Sequence, residues 1–199
     1  MTKPQERRLR EMRNYLKNLP ASCRNTIAPD KSGFEVARRS LAETAPSAAL
    51  EDIPGILQRC LTAQLLSCRA ALPHMRAANG GCIINIASDA AKIPTPGETV
   101  IGAAMAGIVM FTRALAIEGK RNGIRANVLT PSIVGGTEFY QRIMADPFAG
   151  KLFGKAVPKA ELGLVEMTDL AEIAVFLASP AASKMTGQAL SVTGGISAL

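Results

Sequence analysis

Ser88, Asp89 and Lys92 crowd one polar turn, directly after the apolar run Cys82-Ile83-Ile84-Asn85-Ile86-Ala87. A hydroxyl, a carboxylate and an ammonium this close together can hold a substrate oxygen, take a proton and return it. Tyr140 adds a phenol farther along the chain. Together they form a candidate set for cofactor-free proton transfer on an activated acyl substrate. Other chemistry is sparse. Cys23, Cys60, Cys68 and Cys82 include no Cys-x-x-Cys pair, and His74 is the only histidine, so neither a metal site nor a disulfide framework is expected. His74 follows a helix, away from any strand's carboxyl end, and reads as structural.

The elements that must position the turn are legible on both sides of it. Residues 82–87 have the length and apolar character of a buried strand, entered through Asn79-Gly80-Gly81. Residues 98–119 predict a helix of small and apolar residues, closed by Gly119 and Gly123. Ile124-Arg125-Ala126-Asn127-Val128-Leu129 predicts a second strand, stopped by Pro131. Strand, helix and strand make a right-handed βαβ unit of a parallel sheet. Ligands of such sheets lie outside the carboxyl ends of the strands, so Ser88 and the 131–137 loop border any site. Upstream, residues 53–72 predict a helix begun by Asp52. Downstream, residues 137–159 predict a mobile cover or a helical pair. Thr168 is expected to cap a helix ended by Pro180, and Ala189–Val192 predicts a last strand. The fold class is therefore α/β: a Rossmann-like parallel sheet of three strands with flanking helices.

A chain of 199 residues has room for one domain with a real core. Its two parts differ in character. Residues 1–50 form a basic, helical, weakly patterned segment, and residues 51–199 carry the sheet. Residues 1–40 hold ten Lys/Arg against four acids, whereas the rest hold thirteen against twelve. Leu9, Met12, Leu16 and Leu19 are at helical spacing before Pro20, and no strand follows up to residue 46. The arginines read as a solvated helix face; no aromatic interleaving points to nucleic acid. No apolar run of membrane-spanning length is expected, and the start lacks the apolar core of a secretory signal. Reduced thiols then indicate a cytoplasmic protein.

Several stretches, taken in order, resemble the short-chain dehydrogenase/reductase family. They are Leu72-Pro73-His74-Met75, Gly81-Cys82-Ile83-Ile84-Asn85-Ile86-Ala87-Ser88, Phe111-Thr112-Arg113-Ala114-Leu115-Ala116 and Gly123-Ile124-Arg125-Ala126-Asn127. Phe176-Leu177-Ala178-Ser179-Pro180 and Thr186-Gly187-Gln188, with Gly194-Gly195 beyond, complete the set. The resemblance covers residues 56–199. Ser88-Asp89-Ala90-Ala91 with Pro96-Gly97-Glu98-Thr99-Val100 is most similar to the branch acting on cyclic hydroxyacyl-CoA and related alcohols. The resemblance implies NAD or NADP, hydride transfer, and a small alcohol, carbonyl or acyl-CoA substrate. It also implies homo- or hetero-oligomers joined through helix 98–119 and the C-terminal strand. Its chemistry requires a tyrosine that carries the hydroxyl proton and a lysine four residues later, which lowers the tyrosine pKa from about 10. A serine holds the substrate oxygen, and an asparagine completes the relay.

Of that set the serine is in place. Counting thirteen residues on from Ser88 puts the tyrosine position at Ile101 and the lysine position at Met105, while the asparagine position falls on Cys60. Pro131, Ile133 and Thr137 fall where the family's loop meets the cofactor, with Pro131-Ser132 in place of Pro-Gly. Before Asn79 the glycines are Gly33 and Gly55, and neither follows a strand. The glycine-rich loop and first strands of the family sheet are thus missing or unrecognisable, which leaves an open edge beside 82–87. Isoleucine and methionine carry no proton near neutral pH, and a positioned general acid contributes a factor of about 10² to 10⁴. Three readings follow. The chain is a degenerate family member serving as a binding or oligomerisation partner, an enzyme re-purposed for NAD-independent proton transfer around Ser88, or a truncated or altered gene product.

Overall fold

Three short apolar segments build one parallel sheet in the order β1-β2-β3: β1 (Gly81–Ile86), β2 (Ile124–Pro131) and β3 (Ala189–Val192). The computed structural model describes residues 50–198; the basic segment expected to be helical lies outside the described residues. Gly81 pairs with Ile124 and Ile86 with Leu129, while Val128 pairs with Ala189 and Pro131 with Val192. The expected three strands are all present, each within two residues of its predicted ends.

The helices depart from expectation at their ends, for local reasons. α1 (Ile53–Leu57) passes through a π-helical segment, Gln58–Thr62, into α2 (Ala63–Ala77). Asp52 precedes α1 without a side-chain cap, and Pro54 occupies the first turn instead. α2 does not stop at Leu72. Pro73 removes one helix donor, but it is exposed, and bonding resumes beyond it with the Ala78 N–H on the His74 carbonyl at 3.1 Å. α3 spans Thr99–Gly119, α4 Glu138–Ala145, α5 Pro147–Ala156 and α6 Met167–Ala178. Thr168 does not cap α6. The Asp169 carboxylate accepts the Glu166 N–H at 2.8 Å and moves the cap two residues earlier, to Glu166.

Side chains alternate across the sheet, and each face collects its own helices. Ile83, Ala126 and Ile124 pack with Cys68 and Leu72 of α2 and Leu115 and Ala116 of α3. Ala87 and Val128 meet Ile108 and Val109 of α3. The other face sets Leu129, Ile84 and Leu190 against Leu177, Ile173 and Ala174 of α6. Both crossovers, β1 to β2 and β2 to β3, step the same way along the sheet, yet their helices α3 and α6 cover opposite faces. The two connections therefore have opposite hands. The common right-handed form suits the close β1–α3–β2 unit, so the exceptional hand falls on the long 132–188 connection that contains α4, α5 and α6.

Among the described residues β1 pairs on one side alone. The N–H of Ala87 bonds the Leu129 carbonyl at 2.9 Å, so the groups of Ile86, one residue back, face outward. The outward Ile86 carbonyl accepts Gln64 Nε2 of α2 at 2.7 Å. α3 overturns one expectation. Thr99–Asn122 is long and apolar enough to cross a membrane by length and composition, although no such run was foreseen. One side of it forms the core just described. Its other side leaves Met110 62% and Ile117 65% exposed, and Leu66 of α2 is 64% exposed.

The buried polar groups of β2 are paired. Fully buried Asn127 donates Nδ2 to the Met185 carbonyl at 3.0 Å and accepts the Gln188 N–H on Oδ1 at 3.0 Å, which fixes where β3 begins. Replacing Asn127 with alanine strands the Gln188 N–H and leaves the Met185 carbonyl to Arg125 Nη1 at 3.3 Å. Stability should fall by about 2–3 kcal/mol in urea denaturation; an unchanged midpoint would remove this clamp from the account of the fold.

Candidate functional site

Ser88 leaves β1 with extended backbone, and its Oγ accepts the Ala90 N–H at 3.2 Å, starting a 3₁₀ turn over Asp89–Ala91. That turn lies directly under α3: a Cβ on Gly102 would stand 3.1 Å from the Ala90 carbonyl oxygen. Met105 and Ala91 both pack on the cluster of Ala87, Ile108, Val109 and Val128, so the lysine position borders the carboxyl end of β1. Ile101 lies one turn earlier on the same helix face and is half-buried. Cys60 falls on the π-helical segment, which packs on α3 through Leu61, 3.1 Å from where a Gly107 Cβ would be. Burial pushes the Cys60 thiol up, and the Arg59 charge partly opposes this. Structure thus gathers Ser88, Ile101, Met105 and Cys60 around one helix.

The remaining candidates are placed less favourably. Pro131 ends β2, and Ile133 is buried just beyond it. The Thr137 hydroxyl accepts the Tyr140 N–H at 3.0 Å and donates to the Val134 carbonyl at 3.1 Å, so it is committed to starting α4. Tyr140 is half-buried on α4, and no hydrogen bond links it to Ser88. Residues 137–159 form the expected helical pair, α4 and α5. His74 is exposed near the end of α2.

Asp89, Lys92 and a residue that sequence reasoning passed over make up the charged part of the crevice. Asp89 is 6% exposed; its Oδ2 accepts the Ser197 hydroxyl at 2.6 Å, and its Oδ1 has no partner. Lys92 Nζ donates to the Ser191 hydroxyl at the end of β3. Burial lowers the Lys92 pKa, Asp89 opposes that, and Arg113 adds to it. Glu98, at the N-cap of α3, is the residue missed. Burial pushes its carboxyl from the ordinary 4.5 up to about 7; a Thr95 hydrogen bond opposes the rise and the Asp89 charge adds to it. The available signal was its position, three residues before Ile101 and seven before Met105, which puts all three on one helical face.

Among the described residues no strand passes through a glycine-rich turn into a helix, the Thr137 hydroxyl is engaged in starting α4, and the side chains of Ile101 and Met105 are apolar.

Comparison with known proteins defines the ancestry of the scaffold. Residues 32–197 match the family described as enoyl-(acyl carrier protein) reductase. The chain belongs to the short-chain dehydrogenase/reductase family. It is an oxidoreductase homologue with that family's Rossmann-type fold. It is 37% identical over 146 residues to the 3-oxoacyl-[acyl-carrier-protein] reductase FabG of Chlamydia pneumoniae, covering 73% of this chain and 57% of that protein. It is 31% identical over 140 residues to the inactive 2-(S)-hydroxypropyl-CoM dehydrogenase 2 of Xanthobacter autotrophicus, covering 70% of this chain and 61% of that one. Among solved structures it resembles a gluconate 5-dehydrogenase of Burkholderia cenocepacia J2315 in complex with NADP and tartrate. There the TM-score is 0.70 at 26% identity, over 78% of this chain and 61% of that one. The chain spans little more than half the length of the curated relatives it matches.

The raised Glu98 pKa fixes the sign of a pH effect. Between 4.5 and about 7 the unfolded chain releases this proton while the folded chain keeps it, so the Glu98 contribution to stability falls as pH rises through that window and is flat above it. Glu98→Gln should melt close to the parent at pH 5 and above it at pH 8. Equal differences at both pH values would refute the assignment.

Proposed function

We propose that this chain is a short-chain dehydrogenase/reductase homologue without hydride transfer, acting as a binding or assembly subunit. One observation carries the reading: Ile101 and Met105 hold the two proton-handling positions, and Met105 is packed into the core beside Ala87. Neither side chain can donate a proton or tune a neighbour that does. A relative whose name describes it as inactive shows that such chains occur in this family. Association is supported by the outer face of α3, where Ala103, Ala106, Met110, Ala114 and Ile117 recur at three- and four-residue spacing and are all exposed. An apolar stripe of this kind in water favours a partner of matching character, here a second copy or an intact relative.

A second reading has one observation in its favour. Ser88, Asp89 and Lys92 share a turn, and Glu98 adds a carboxyl that titrates near neutrality, the range suited to proton transfer without NAD.

NAD, NADH, NADP and NADPH should each leave the melting temperature unchanged in a thermal-shift titration; a dose-dependent rise with any of them would overturn the loss of cofactor binding. In sedimentation the protein should run as a dimer or larger, and Met110→Glu with Ile117→Glu should convert it to monomer. A monomeric parent chain would end the assembly reading. Any turnover found without cofactor should fall by about 10²-fold or more in Ser88→Ala if the second reading is right.

A further inference from the structure

Two ties join the turn after β1 to the chain around the end of β3. Lys92 Nζ donates to the Ser191 hydroxyl, and the Ser197 hydroxyl donates to Asp89 Oδ2 at 2.6 Å. β2 lies between β1 and β3, so both ties span its carboxyl end. Neighbouring strands are about 4.8 Å apart, which makes the span about 10 Å. Local bonds shape residues 193–198 for that path. Gly194 and Gly195, with φ +65° and +93°, are the central pair of a turn that the Ile196 N–H closes on the Thr193 carbonyl at 3.2 Å. The buried Thr193 donates its hydroxyl to the Ser197 carbonyl at 3.1 Å. The loop after α5 fixes the near end of this segment. There the Leu162 N–H bonds the Gly194 carbonyl at 3.0 Å, and a Cβ on Gly194 would collide with the Gly163 carbonyl oxygen.

We propose that residues 193–198 are a strap tied shut across the carboxyl end of β2, with Ser197 on Asp89 as the releasable tie and Gly194–Gly195 as the pivot. Asp89 stays behind when the strap lifts, because its carbonyl accepts the Lys92 and Ile93 N–H groups, each at 2.9 Å. Its side chain is buried, and Oδ1 meets no donor while the strap is shut. Release of Ser197 lets water reach both carboxylate oxygens, which offsets part of the hydrogen bond given up. The near end gains nothing comparable, since Thr193 is buried and Gly194 is pressed on Gly163. Opening therefore starts at Ser197 and stops at the glycine pair. Ligands of parallel sheets lie outside the carboxyl ends of the strands, so a shut strap stands in their place. The contact is autoinhibitory for the crevice beside Ser88, whether the chain serves as an assembly subunit or transfers protons.

Hydrogen–deuterium exchange of the full chain, parent against Ser197→Ala, tests the strap. The variant should exchange about tenfold faster or more over 193–198, 87–93 and 132–135, because the bond removed is one to a charged group. Residues 124–129, inside the sheet, should keep the parent rates. Ser197→Thr retains a hydroxyl and should keep the parent rates throughout. Parent rates over 87–93 or over 132–135 in Ser197→Ala would overturn the strap, and faster exchange at 193–198 alone would then be fraying. A parent chain whose 193–198 amides exchange as fast as those of an unstructured peptide would overturn it as well. Asp89→Ala should loosen 193–198 from the other side of the tie. If that variant fails to fold, the two Ser197 variants decide the matter.

Discussion

The close seating of α3 is the constraint on which the rest of the structure depends. At Gly102, Gly107 and Gly119 an added Cβ would stand 3.1–3.2 Å from the Ala90 carbonyl, the Leu61 side chain and the Ile124 side chain. One helix therefore presses on the turn after β1, the π-helical segment and the start of β2 together. Interiors packed this tightly transmit small changes and do not deform smoothly. The turn bearing Ser88 and the segment bearing Cys60 are held in a fixed relation because both touch the same rigid rod.

Met105 takes part in that seating as a packing residue. An apolar Met105 extends the core cluster of Ala87, Ile108, Val109 and Val128 to the floor of the crevice. A lysine there would bring an ammonium that favours ionised carboxyls nearby. Here burial is the main cause of the raised Glu98 pKa, and the Asp89 charge adds to it.

Much of this was legible in the sequence, because strands, helices and turns announce themselves locally. The runs at 82–87 and 124–129 and the glycines at 119 and 123 are short-range signals, and they placed the sheet correctly. The failures come from competition and distance. Pro73 is a stop signal overridden by an exposed helix end, and Thr168 was outcompeted as a cap by Asp169. Asp89 owes its fixed state to Ser197, 108 residues away in sequence, so no local pattern could reveal it. The shift of Glu98 likewise needs the packing that buries it, whereas its place on the face of Ile101 and Met105 was readable from spacing alone.

The opposite hands of the two connections bear on the order in which the chain assembles. β1 meets β2 across the shorter connection, which α3 mostly fills, while β3 meets β2 across about sixty residues, Val128 against Ala189. Closing the shorter, helix-filled loop costs less chain entropy, so the two-stranded unit is the natural nucleus. β3 then arrives on a finished edge, guided by the side chains of Asn127, which accepts the Gln188 N–H, and Thr130, which donates to the Leu190 carbonyl. A crossover of the uncommon hand is tolerable in that position because, among the described residues, no other strand pairs beyond β3.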